Sequence, residues 1–277
     1  MPDQELKEIV EYRGVEGLVA ARVLTDDNGT DGYTTGDVFA IAGVAEVSKT
    51  VATSVEAHYY DNIPAIVIEG VGAETININT SAIPLDVLAE INGQFYDTTT
   101  GTLIEGQPEQ RYFALGYKTK KTNGDEVYVW RHKGVFSVPD VTSATEDAGT
   151  GANGQQLVYT GISTTHKFTK TGKPCRGINT DVGKGLANVT NYFTTVQTPD
   201  TIVAKTSYKL TITQAANTTV TVKRNGHVLA TNSDIYAGDE LLITVTGGTL
   251  TVDGVAFTSG DIHVVTGATA VVSTASA

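Results

Sequence analysis

Residues 45–60 read Ala45-Glu46-Val47-Ser48-Lys49-Thr50-Val51-Ala52-Thr53-Ser54-Val55-Glu56-Ala57-His58-Tyr59-Tyr60, a two-residue alternation held far beyond the length of an ordinary strand. The even positions from Glu46 to His58 are polar or small, whereas the odd positions are mostly apolar. Successive side chains of a strand point to opposite faces, so this spacing predicts one polar and one apolar face. Asp61-Asn62-Ile63-Pro64 is a turn signal. Beyond it, Ile76 and Ile78 fall on one side and Thr75, Asn77 and Asn79 on the other. Strands in globular proteins are typically about 5–6 residues long, so a run of this length predicts a sheet shared between subunits or closed into a wall.

Working outward, the rest of the chain also reads as strands. There are 29 glycines and only 18% charged residues, and segments rich in Val, Thr, Ile and Tyr alternate with turn signals, as in an all-β sandwich or barrel. Asn123-Gly124 and Asn225-Gly226 each predict a type I′ hairpin turn. One helix is expected over residues 81–93, where Pro84 suits the first turn, Leu85, Leu88 and Ile91 recur at helical spacing, and Asn92-Gly93 forms a stop. A second helical reading, over residues 3–12, is short and acidic. Residues 142–156 have the composition of an exposed loop. A change of texture at Val196-Gln197-Thr198-Pro199-Asp200 sets the expected organisation: a first domain over 1–197, a linker over 198–206 and a small β domain over 207–277.

Composition excludes several functions. The net charge of −12 disfavours binding nucleic acid through its phosphates, which requires clustered Lys and Arg. With one cysteine, Cys175, neither an intramolecular disulfide nor a Cys-based zinc site is available. The start Met1-Pro2-Asp3-Gln4-Glu5 is acidic, unlike a secretory signal, and no apolar run approaches a membrane span. Folding in a reducing cytoplasm, with no membrane partner, is the expectation.

The motifs that carry chemistry are weak. Residues 149–154 match G-x-G-x-x-G but neither follow a strand of a βαβ unit nor open a helix. Asp26-Asp27-Asn28-Gly29-Thr30-Asp31-Gly32 supplies oxygen ligands without the sixth-position Gly and twelfth-position Glu of a calcium loop. The histidines His58, His132, His166, His227 and His263 form no metal-binding pair, and no G-x-S-x-G elbow is present. Lys173 and Arg176 flank Cys175, which alone is poor support for a reactive thiol. No enzyme activity, catalytic residue, cofactor or metal is expected.

The segment from Tyr12-Arg13-Gly14-Val15-Glu16-Gly17 to Val23, followed by Gly32-Tyr33-Thr34-Thr35-Gly36 and Ile41-Ala42-Gly43-Val44, resembles the start of the major tail proteins of long, non-contractile-tailed bacteriophages (siphophages). Ser48-Lys49-Thr50, the turn at Tyr60-Asp61-Asn62-Ile63-Pro64, the strand from Thr75 to Asn79, Ile83-Pro84-Leu85 and Trp130-Arg131-His132-Lys133-Gly134 follow in the family's order. The resemblance covers residues 10–182. It implies a mainly β tail-tube protomer, a sandwich or barrel with one flanking helix, in a virion tail assembled from protein made in the host bacterial cytoplasm. It further implies homo-hexameric rings stacked into a tube, with tape measure, tail terminator and distal tail proteins as partners, and DNA passing through the lumen without specific binding.

On this reading Glu46, Ser48, Thr50, Ser54 and Glu56 face the lumen, and Tyr59, Tyr60, Asp61, Asn62, Ile63 and Pro64 form an inter-subunit loop. The C-terminal domain resembles the small immunoglobulin-like sandwiches that decorate such tubes, with glycan contact as a possible role. Two other classes remain open: a bacterial surface adhesin or carbohydrate-binding β-sandwich protein, for which a sorting signal is missing, and a β-sandwich glycosidase, for which one Trp, Trp130, is too few.

Overall fold

The computed structural model describes residues 9–29, 31–141 and 153–275. The mainly β expectation holds: among the described residues there are nineteen strands and a single α-helix. They fall into two compact units, the first reaching Lys184 and including Val189–Ile202, the second combining Gly185–Asn188 with the chain from Val203 onward.

The first unit contains β1 (Tyr12–Asp26), β2 (Tyr33–Ala40), β3 (Val44–Tyr60), β4 (Ile63–Thr80), α1 (Leu85–Asn92), β5 (Phe95–Asp97), β6 (Thr102–Ile104), β7 (Phe113–Lys121), β8 (Glu126–Phe136), β9 (Gln155–Ile162) and β10 (Gly177–Asp181). Its main sheet runs β2-β1-β7-β8-β9-β4-β3, with β10 added to β8. The sheet curls until β3 comes against β1. Gly14 and Gly17, at φ +98 and +68, sit where the β1–β7 register slips, and these left-handed positions bend β1 around the core. Alternate residues fill the inside of the curl: Leu18 and Ala20, Ile76 and Ile78, Phe113 and Leu115, Leu157 and Tyr159. The opposite face buries Ala21, Ala114 and Trp130 beneath Tyr192 and Val196. There the Trp130 indole N–H donates to Tyr192 O at 3.0 Å.

The helix is shorter than expected and packs differently. Leu88 and Ile91 are buried, but Leu85 is half exposed, and Ile83, just ahead of the helix, takes the inward place instead. Gly93 ends it at φ +63, where its N–H reaches Glu90 O. The Asn123-Gly124 turn also departs from expectation. Only Gly124 has positive φ, whereas type I′ requires both central residues there, and Lys121 N bonds Asp125 O across a longer loop. Of the helix read over 3–12, residues 3–8 lie outside the described residues and Tyr12 begins β1. Residues 142–152 of the loop read over 142–156, and most of its glycine motif, also lie outside them, while Gln155 already belongs to β9.

The segment 198–206, expected as a linker, is divided between the two units. Thr198 is buried, and Asp200 accepts from Thr169 N and Lys170 N at 2.8 Å within the first unit. In the second, Asn188 N donates to Val203 O at 2.9 Å and Lys205 N to Leu186 O at 2.8 Å.

The second unit has β11 (Ser207–Thr213), β12 (Thr219–Arg224), β13 (His227–Leu229), β14 (Asp234–Tyr236), β15 (Glu240–Thr246), β16 (Gly248–Val252), β17 (Val255–Phe257), β18 (Ile262–Val264) and β19 (Thr269–Ala275). Sheets β14-β11-β19-β16-β17 and β13-β12-β15-β18 enclose a core that includes Leu210, Val222, Ile235, Leu241, Ile243 and Val271. Asn225-Gly226 makes the expected two-residue turn, with φ +49 and +83 between paired Arg224 and His227. Asp253-Gly254 makes another, joining β16 and β17. Asp-Gly is as strong a hairpin signal as Asn-Gly.

Candidate functional site

The feature that sets this chain apart is the hairpin of β3 and β4. Its ladder runs from Val44↔Thr80 to Tyr60↔Ile63, closed by Asp61 and Asn62 at φ +50 and +63. That two-residue, doubly left-handed turn fits Asp and Asn, which tolerate this region better than other side chains. Strand β9 supports β4 only from Glu74↔Gly161 to Thr80↔Gln155. Beyond Glu74, residues 63–73 have β3 as their sole strand partner among the described residues, and β3 is the sheet edge throughout.

The outer half is therefore a two-stranded arm with both edges unpaired. The expected separation into a polar and an apolar face persists only at its root. Further out both faces are exposed, because no described residue covers them: Val55, Tyr59, Ile63 and Val67 are 63–68% exposed, and Ile66, Ile68 and Val71 are also exposed. Ladder irregularities occur at Val44/Glu46, Val51/Thr53 and His58/Tyr59, and such bulges add twist to the ribbon. Arg176 tethers the arm near its base, donating from Nη2 to Val71 O at 3.1 Å. An isolated two-stranded hairpin is at best marginally stable in water. Exposed apolar side chains and unpaired strand edges are the features that in general invite pairing with another chain.

At the root, the outer face of β3, β4 and β9 forms rows of small polar groups. Glu46, Asn79 and Gln156 make one row, Ser48, Asn77 and Val158 the next, and Thr50, Thr75 and Thr160 the third. Asn79 Nδ2 donates to Glu46 Oε2 at 3.0 Å, and the Thr50 hydroxyl to Thr75 O at 3.4 Å. These rows contain no Lys or Arg. Ser54 and Glu56 continue the same strand face into the arm, opposite Gly70 and Ile68. At about 3.3 Å per residue, Glu46 and Glu56 are roughly 33 Å apart along the strand, so they share a face without sharing a site. Gln156 and Thr160 were not legible as members of this face, because their place depends on β9 pairing with β4.

The other polar motifs serve the fold. Burial opposes ionisation of Asp26, but bonds from Lys133 and from the N–H groups of His166 and Thr165 outweigh it and hold its pKa below the usual range. Asn28 Oδ1 accepts from Lys167 N at 2.9 Å, so the acidic turn fastens the segment after β9 instead of presenting its oxygens to an ion. His132 is buried with Nε2 3.0 Å from Gln197 O. The half-buried Cys175 thiol donates to Gly177 O at 3.2 Å. Among the described residues, no group of three or more His, Cys, Asp and Glu has the geometry to hold a metal ion. Comparison with known proteins finds no family model and no curated protein that matches this chain.

Proposed function

We propose that this protein is a structural subunit that self-assembles through the β3–β4 arm into stacked hexameric rings, forming the tail tube of a siphophage virion. The supporting observation is the arm itself: a long hairpin whose outer half has two free edges and exposed Val, Ile and Tyr side chains on both faces. Such a ribbon acquires ladder partners and a dry face when it lies on a neighbouring subunit. The residues Tyr59, Tyr60, Asp61, Asn62, Ile63 and Pro64 at its end form the inter-subunit loop.

The polar rows face the channel. Glu46, Ser48, Thr50, Ser54 and Glu56, with Asn77 and Thr75 beside them, offer hydroxyls, amides and carboxylates, none of which pairs with a phosphate as Lys or Arg does. The net charge of −12 per copy repels DNA on average, over a range of about 8 Å at physiological salt. The second unit is an immunoglobulin-like surface decoration of the tube. Negative-stain electron microscopy of the purified protein tests this reading. Tubes or six-membered rings are expected, their loss on removal of residues 59–69 from a chain that still folds is the supporting control, and a protein that stays monomeric at every concentration overturns it.

A further inference from the structure

On the inner side of the arm's root, opposite to the polar rows, the curled sheet ends in an open cavity of about 440 Å³. Val47 and Lys49 of β3, Tyr117 and Thr119 of β7, and Val129 and Arg131 of β8 line it. Its charges are unbalanced. Lys49 Nζ stands 4.0 Å and Arg131 Nε 3.6 Å from the carboxylate of Glu74, which is buried to 2% exposure, so two cations share one anion at more than hydrogen-bond length. The Arg131 side chain is 8% exposed, and its Nε has no hydrogen-bond partner, the facing Glu74 Oε1 at 3.6 Å being likewise unpaired; the buried Thr119 hydroxyl has none either. One Arg131 N–H is used on Asn179 Oδ1 at 3.2 Å. Buried donors without acceptors are costly, and a guanidinium has five N–H groups to place. The complement of this cavity is a carboxylate flanked by apolar or aromatic groups, carried on a segment narrow enough to enter.

We propose that the occupant is the arm tip of a second copy of this chain, with Asp61 brought to Lys49 and Arg131 and its neighbours Tyr60 and Ile63 against the apolar wall. This deepens the assembly reading above and rests on it. The tip has the required chemistry in the required shape: a two-residue turn bearing one carboxylate between side chains that are 60% and 64% exposed. A chain's own tip does not reach its own cavity, since Asp61 lies just past the far end of β3, twelve residues beyond Lys49, about 40 Å at 3.3 Å per residue. Each copy gives a tip and receives one. Such a heterologous contact propagates from copy to copy, closing into a ring or extending as a filament.

The test places Lys49→Cys and Asp61→Cys together in a Cys175→Ser background, oxidised after assembly. Covalent multimers in a ladder on a denaturing gel are expected, with neither single-cysteine variant giving more than a dimer. A second measurement uses charge. Asp61→Lys and Lys49→Asp should each raise the concentration needed for assembly severalfold, and the two changes combined should restore it. Asp61→Asn keeps the left-handed turn and should weaken assembly in the same direction. A monomer band from assembled double-cysteine particles, or wild-type assembly by Asp61→Lys, overturns the tip-to-cavity pairing while leaving assembly through the arm in place. Wild-type protein that never assembles overturns both.

Discussion

Asn79 donates its side-chain amide to the carboxylate of Glu46 at 3.0 Å across the β3–β4 ladder, fixing an acid in the first of three exposed polar rows. Both residues are exposed, so the bond orients Glu46 without neutralising it. If these rows line the channel as proposed, replacing Glu46 and Glu56 with Lys substitutes phosphate pairing for repulsion, and each neutralised phosphate adds a log–log salt slope of about −0.9 for duplex DNA. Particles carrying Glu46→Lys/Glu56→Lys are expected to assemble tails yet eject DNA slowly, with the defect relieved at high salt. Ejection at the wild-type rate from fully assembled mutant particles would show that these acids do not line the channel.

On the proposed reading, the arm separates assembly from stability. Val67 and Ile68 are more than half exposed, so burial in the monomer has little to lose at either position. Val67→Lys/Ile68→Lys is expected to shift unfolding by no more than about 1 kcal/mol, the usual range for two surface changes, while abolishing tubes in sedimentation. Loss of stability together with assembly would mean that the arm packs on its own chain.

His132 predicts a pH dependence. Burial drives its pKa from 6.5 down to about 4, against the opposing hydrogen bond between Nε2 and Gln197 O. The folded state excludes a proton that the unfolded chain accepts, so this group's contribution is intact above pH 6.5 and declines as pH falls toward about 4. The loss over that window is about 3 kcal/mol. Urea unfolding at stepped pH should show the decline, and His132→Gln should flatten it. An unchanged slope in that variant would place the acid sensitivity elsewhere.

Ending the chain after Thr206 should leave the first unit folded. The cut keeps Val203 and Lys205, which hold Asn188 and Leu186, and removes the core that includes Leu210 and Ile243 as a whole. Thermal unfolding of the truncated chain should retain one cooperative transition, and its tubes should be thinner on the outside. An insoluble product would assign the second unit to the tube wall.

Much of this was legible in the residues because local rules govern it. The alternation from Glu46 to His58, the Ile76 and Ile78 repeat and the turn at Asp61-Asn62 specify a long hairpin, since strand side chains alternate and Asn and Asp accept left-handed φ. Asn225-Gly226 and Gly93 act for the same backbone reason, and Leu88 and Ile91 give helical spacing. Tertiary structure decided the rest. Whether the apolar side of β3 is buried depends on which strands reach it: Val47 packs on the core, whereas Val55, of the same parity, is left 68% exposed. Gln156 and Thr160 join the polar face only because β9 pairs with β4, a contact across about eighty residues of chain that no local pattern encodes. Lys49, Thr119 and Arg131 come from three separate strands, β3, β7 and β8, and the sheet's curl is what makes them one cavity.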